Sequence, residues 1–210
     1  NVGLELEKSS YKKLLRYRNT NPYFTKDGIS KSTSIVFSET DVSSTSTASY
    51  ISDTIAYGVN YNVPISETRS YGYGAELVLT DYTSTIGSPR NVRSFLDKYG
   101  NSHFGLMFNA SLIEDTRNRT VYATQGKKQS ITSNLFIKPD LDYSYAAIKF
   151  TGEYNTPYKL NFFDMFNWDT TFQVRPQLGL GTGLFGESSL PFHDKFFAGG
   201  DKTVRGFDSG

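Results

Sequence analysis

The chain has no cysteine, which excludes disulfide frameworks, cysteine-based zinc sites and thiol catalysis. It also lacks any apolar run near the ~20 residues that a membrane helix requires. Charge is balanced, with 22 Lys and Arg against 21 Asp and Glu. Bulk charge therefore points to no nucleic-acid partner. Only one Trp, two Met and two His are present. Asn1 is no initiator and no signal peptide precedes it; Gly210 falls in a Gly/Asp/Ser-rich stretch, so both ends read as cut.

What is abundant is aromatic and small: 15 Tyr, 16 Phe and 18 Gly, with many Ser and Thr. Mean hydropathy is −0.44, a value that suggests a soluble protein if taken alone. A membrane barrel gives the same average, because lipid-facing and lumen-facing residues alternate.

Alternation is the main signal. Ile55, Tyr57, Val59, Tyr61 and Val63 share one face, and Thr54, Ala56, Gly58, Asn60 and Asn62 the other. Similar runs occupy 71–79, 104–112, 144–154 and 171–181, with weaker ones at Val2–Lys8, Tyr11–Asn19, Ile29–Glu39 and Gln129–Ile137. The polar face carries Gly, Asn, Ser, Thr and Gln rather than the many Lys and Glu of a solvent-facing sheet. Those residues suit a wet, confined lumen, and the Tyr and Phe of the apolar face suit aromatic girdles. The predicted fold is all-β, a partial transmembrane antiparallel up-and-down β-barrel of about nine strands. A soluble sandwich or closed barrel is the alternative. An odd strand number does not close a bacterial barrel, so a partial barrel is expected.

Connections alternate in length. Asn21–Gly28 and Pro64–Thr68 are compact, with Pro and Asp-Gly turn chemistry, whereas Asp41–Tyr50 and Asp81–His103 are long. Within the latter, Ser88 and Pro89 read as N-cap and first helical residue. Val92, Phe95, Leu96 and Tyr99 then follow at helical spacing, and Gly100 is the stop. This predicts a short amphipathic helix on a loop, its apolar stripe packed on the chain's own barrel. Glu5, Glu7, Arg16, Glu76, Lys149, Glu153 and Arg175 fall on the polar face and are expected to form a hydrated wall with cross-strand ion pairs.

Several patterns carry no chemistry. Gly181-Thr-Gly183-Leu-Phe-Gly186 fits a dinucleotide fingerprint by letter, but Glu187–Pro191 is not a helix pattern. His103 and His193 read as solvated loop histidines without a metal-spaced partner. No G-x-S-x-G elbow supports a hydrolase. No catalytic residue, metal site or cofactor is expected, and the chain is not predicted to be an enzyme.

The segment Phe196-Phe-Ala-Gly199-Gly200-Asp-Lys-Thr-Val204-Arg205-Gly206-Phe207 has a glycine-hinged tip with an apolar-flanked arginine. Such an arginine is suited to a confined space in which a carboxylate receives it; an ordinary solvated loop is the competing reading. The segment resembles the signature of the long inward-folded loop of the BamA-type insertase and polypeptide-transporter superfamily. Asn21-Pro22-Tyr23-Phe24-Thr25-Lys26-Asp27-Gly28 resembles a periplasmic turn of the assembly-factor members. Asp115-Thr-Arg117-Asn-Arg119 with Thr124-Gln125-Gly126 resembles a later turn, with Ala123 where the family usually has Pro.

The resemblance implies a single partial barrel domain over 1–210, with strands and loops over 1–183 and a plug loop over 184–210. It implies about nine strands of an expected sixteen, with the long loop at the C-terminal end and the short helix in an extracellular loop. The periplasmic POTRA domains would lie outside the sequence. It implies a Gram-negative outer-membrane insertase that folds β-barrel precursors without nucleotide hydrolysis. Its partners would be unfolded precursors, lipoprotein subunits reached through the POTRA domains, and outer-membrane lipid. A TamA-type factor or two-partner secretion translocator is the related alternative; a porin, a lipid hydrolase and a soluble β-sandwich binding module are those of another class.

Overall fold

The computed structural model describes residues 1–42, 49–162, 166–185 and 190–196. Ten strands form one antiparallel sheet: β1 (Val2–Lys8), β2 (Lys12–Asn21), β3 (Ser30–Asp41), β4 (Tyr50–Pro64), β5 (Arg69–Ser84), β6 (Ser102–Asp115), β7 (Gly126–Ile137), β8 (Ser144–Phe162), β9 (Phe166–Val174) and β10 (Gln177–Leu184). Each strand from β1 to β8 pairs with its sequence neighbour, and β9 and β10 both pair with β8. Helix α1 (Arg90–Tyr99) and a 3-10 turn, η1 (Phe192–Asp194), complete the described structure.

The count is ten rather than nine because the run 171–181 is divided. Tyr154 faces Val174 on β9 and Thr151 faces Gln177 on β10, so the register is the same on both sides of the break. Pro176 lies there and has no N–H to donate. Its carbonyl still accepts from Gly152 N–H at 2.9 Å. β9 and β10 thus follow one path along β8, interrupted at Arg175–Pro176. Most strands also run past their apolar stretches, since ladder hydrogen bonds do not depend on side-chain polarity.

Register turns alternation into continuous rows. Leu4 faces Tyr17, Tyr17 faces Ile35, Ile35 faces Tyr57 and Tyr57 faces Leu77. The row continues through Leu106 to Ile137. A parallel row joins Leu112, Ile131, Phe150 and Leu178. These residues form the outer face, and most are exposed, Leu178 to 68%. Among the described residues no second sheet covers them, which argues against the sandwich. Left in water, such a band costs roughly 25 cal/mol per Å² of apolar surface, a cost that lipid removes. No described helix is long and apolar enough to cross a membrane; the strands, mostly longer than the ~9–11 residues a tilted spanning strand needs, do the crossing.

The opposite, inner face carries α1 and η1. The amphipathic helix packs on the chain's own sheet, as its spacing predicts: Val92 and Leu96 are buried with Tyr82 and Phe192. Its start differs from expectation. Pro89 is the N-cap and makes no side-chain cap. Ser88 instead hydrogen-bonds Ser49 O and accepts from Thr85 N–H at 2.7 Å, tying the helix to the chain before β4.

A charge in the outer row should be far costlier than one on the inner wall. Phe108→Arg is expected to lower unfolding free energy by about 2–4 kcal/mol in a bilayer. Thr132→Arg, on the inner face of β7, should cost clearly less, as read by urea titration of the two variants.

Candidate functional site: the inner wall and its two mouths

The chain enters and leaves each strand at one of two ends. At the first end lie the connections 22–29, 65–68 and 116–125. The resemblance turn between β2 and β3 closes locally: Asn21 Oδ1 accepts Tyr23 N–H at 3.1 Å, Phe24 N–H donates to Ile29 O at 2.9 Å, and Gly28 N–H to Thr25 O at 3.2 Å. Gly28 has φ +80°, a left-handed conformation that favours glycine. Phe24 packs edge-on to Tyr61 at 5.8 Å, which stacks on Tyr73 at 5.3 Å. Lys31 Nζ lies 5.1 Å from the Phe24 ring. This is an aromatic girdle with a cation at its edge, on the outer face. Pro22 and Asp27 complete the turn, and Tyr23 projects into the surroundings.

The turn between β6 and β7 is built around Arg117 and Asn118. Arg117 grips Asp115 through Nε at 2.9 Å and Nη2 at 2.8 Å, and reaches Glu153 through Nη1 at 3.3 Å. Asn118 Oδ1 accepts the N–H groups of Thr124 (3.1 Å) and Gln125 (3.2 Å). The two carboxylates push the Arg117 guanidinium further above its already high range. Glu153 also accepts from Asn155 at 3.0 Å and lies 3.7 Å from Arg175. Arg117, Glu153 and Arg175 line an open cavity of about 630 Å³ with Thr171 and Gln173. Ala123 is buried there, so the turn is held by side-chain bonds where a proline would stiffen the backbone.

Ion pairs run along the inner wall as expected: Arg16–Glu5 at 2.8 Å and Lys12–Glu7 at 2.9 Å, while Glu76 accepts from Asn60 at 3.2 Å.

At the second end the inner wall is filled, and here both histidines depart from expectation. His103 is the second residue of β6, faces Thr80 and is 1% exposed. Its ring meets Tyr143 at 4.9 Å and Tyr82 and Phe95 at 5.5 Å. His193 lies in η1, its side chain 15% exposed, stacked on Tyr82 at 4.9 Å. Neither is a solvated loop residue, because α1 and the segment 190–196 cover both. Parity held the missed signal: His103 precedes outward-facing Phe104, so it points inward.

The motif Gly199, Gly200, Val204, Arg205, Gly206 and Phe207 lies outside the described residues. What the structure places is the chain before it, Leu190–Phe196. Inward-facing Gly179 and Gly181 make room for that segment: a Cβ on Gly179 would stand 2.7 Å from the Phe196 ring, and one on Gly181 would collide with Leu190. Gly181, the first glycine of the letters that mimic a nucleotide fingerprint, thus serves with Gly179 as a seat for this segment on β10.

A family profile described as the Omp85 superfamily domain matches residues 1–210. The chain is similar to the outer membrane protein assembly factor BamA of Neisseria meningitidis serogroup B, with 25% identity over 201 residues, 91% of this chain and 24% of that protein. The crystal structure of BamA from Haemophilus ducreyi lacking POTRA domains 1–3 superposes with TM-score 0.83 at 20% identity, over 100% of this chain and 40% of that one. The chain thus spans about a quarter of the curated relative's length.

The Arg117 grip and the Arg175 contact should differ in weight. Arg117→Met is expected to cost about 2–3 kcal/mol, since two carboxylates lose a charged donor. Arg175→Met, which removes a long and half-exposed pairing, should cost less than about 1 kcal/mol. Urea unfolding in lipid bilayers reads both.

Proposed function

The chain belongs to the Omp85 superfamily, and on that premise we propose that it is the central barrel segment of an outer-membrane protein insertase. It is part of a Gram-negative outer-membrane β-barrel. The observation that carries the proposal is the superfamily match over all 210 residues, supported by the sheet whose apolar face is open and whose inner face receives the chain leaving β10.

The activity is a physical one. An unpaired strand edge in hydrocarbon costs several kcal/mol per backbone group, so a barrel that templates an incoming edge lowers the barrier to insertion. No nucleotide hydrolysis, cofactor or covalent step is required of it. The segment supplies scaffold over 1–183 and a plug loop over 184–210, with Arg205 as the lock at the tip. Its partners are unfolded outer-membrane precursors and the lipoprotein subunits of an assembly machinery. The Asn21–Gly28 turn faces the periplasm, and α1 the cell exterior.

Arg205→Ala in the full-length protein is expected to slow barrel assembly by about tenfold or more, the equivalent of ~1.4 kcal/mol of lost loop locking, with the strands still folded. The readout is folding of a labelled precursor in reconstituted proteoliposomes. Wild-type assembly by a correctly folded Arg205→Ala protein refutes the lock; steady conductance without any precursor folding favours a porin.

A further inference from the structure

The segment Leu190–Phe196 is fixed to the inner wall by contacts from four strands, one helix and one loop. Phe196 and Leu190 sit on the β10 glycines. Phe192 is buried against Tyr50 (4.9 Å), Phe95 (5.2 Å) and Tyr82 (5.3 Å). The Tyr145 hydroxyl donates to the Asp194 carboxylate, joining η1 to β8. Between these contacts His193 stacks on Tyr82, with Phe95, Tyr145 and Tyr143 edge-on at 6.0, 6.3 and 6.4 Å. Its Nδ1 is buried without a hydrogen-bond partner among the described residues.

We propose that Leu190–Phe196 is an acid-released strap, held on the inner wall while His193 is neutral and freed when His193 takes up a proton in its aromatic cage. The proposal rests on the reading above, since the strap leads into the loop that bears Arg205.

The charges around His193 decide the direction. On its own turn, Asp194 is 3.6 Å from Nε2 and favours the cation, but that carboxylate is already engaged by Tyr145. β5 presents Tyr82, and α1 presents Phe95, with Tyr99 beyond it on Tyr143. β6 presents His103, a second imidazole whose charge would repel another. The β7–β8 connection presents Tyr143, with Lys138 Nζ 5.8 Å from that ring and paired to Asp140 and Asp142. β8 presents Tyr145 and β4 presents Tyr50, neither of them a carboxylate. Lys195 follows in the chain and adds a further positive charge. Cation–π attraction to Tyr82 offsets part of the cost; burial wins, and the imidazole is pushed down to about 4.

The linkage follows from that depression. A released strap exposes His193, which then titrates near ~6.5. Seating is therefore at full strength above ~6.5 and weakens as pH falls toward the seated value. Between about pH 7.5 and about pH 5 the seating equilibrium should fall about 30-fold.

The experiment is hydrogen–deuterium exchange of the full-length protein in lipid nanodiscs at both pH values, corrected for intrinsic chemical exchange and read on peptides spanning 190–196. In the wild type, protection there should drop about 30-fold at the lower pH, with β6 and β8 unchanged. H193F keeps a ring on Tyr82 but cannot titrate at that position, and its protection should lose most of its pH dependence, the remainder belonging to His103 beneath the same cover; H193Q provides the same comparison should the phenyl ring disturb the wall. Y145F should lower protection at pH 7.5 and, by freeing the Asp194 carboxylate for the His193 cation, shrink the ratio between the two pH values. A wild-type change below about threefold, or a full change in H193F, overturns the proposal. Assembly activity is not read, so a failed strap leaves the insertase reading standing, and a failed insertase assay leaves the strap standing.

Discussion

A backbone N–H or C=O left unpaired in hydrocarbon costs several kcal/mol, and an antiparallel ladder satisfies these groups while fixing the side on which each side chain falls. Strands β2 to β7 meet that constraint on both edges through their sequence neighbours, and β1 on the edge it shares with β2. Because parity is shared across the ladder, one row choice propagates: Leu4 outward places Tyr17, Ile35, Tyr57 and Leu77 outward in turn. A slip of one residue in any pairing would send a whole apolar set to the inner wall. The same rule continues across Arg175–Pro176, where β9 and β10 keep one register on β8 although Pro176 cannot donate. Side chains at that break need no new arrangement, because the path along β8 is unchanged.

The inner wall is what this outer uniformity leaves free to vary. At the Asn21–Gly28 end it is polar and open, organised by Arg117, Glu153 and Arg175 around a cavity. At the α1 end it is aromatic and filled, with Tyr82, Phe136, Tyr143 and Tyr145 buried beneath the helix and η1. The wall is thus filled at one mouth and wet at the other. Ion pairs and amide bonds hold the open end, while at the filled end ring contacts worth about 0.5–1.5 kcal/mol each beyond burial join ion pairs such as Lys138–Asp140.

The fold was legible wherever period two was uninterrupted. Ile55–Val63 and Phe104–Leu112 were placed on strands with correct faces, and the helix stripe of Val92, Phe95, Leu96 and Tyr99 was found from its spacing. Strand ends were not legible, because Ser52, Asp53 and Thr83 join the ladder through backbone groups common to all residues. The division at Pro176 was visible as a proline inside a strand run but was read through. The site was legible only as letters. Asn21–Gly28 and the Gly199–Phe207 motif were identified by resemblance, and the structure describes only the former. His103 points inward by parity with Phe104, but its burial and that of His193 depend on α1 and on residues 190–196 folding back, a tertiary event with no local signature. The role of Gly179 and Gly181 is likewise not legible, since close approach by Phe196 and Leu190 is set by a segment that lies beyond them in the chain.

The most direct test of the membrane-barrel account is a parity scan of β6. The chain has no cysteine, so single replacements at positions 104 to 112, in the full-length protein with any other cysteines removed, report on one site each. Each carries an environment-sensitive fluorophore in reconstituted bilayers. The account predicts that labels at Phe104, Leu106, Phe108, Ala110 and Leu112 are quenched by lipid-borne quenchers and those at Asn109 and Ser111 by aqueous ones, while labels at Gly105 and Met107, under the filled part of the wall, escape the lipid-borne quenchers. Uniform aqueous quenching along the strand would contradict it.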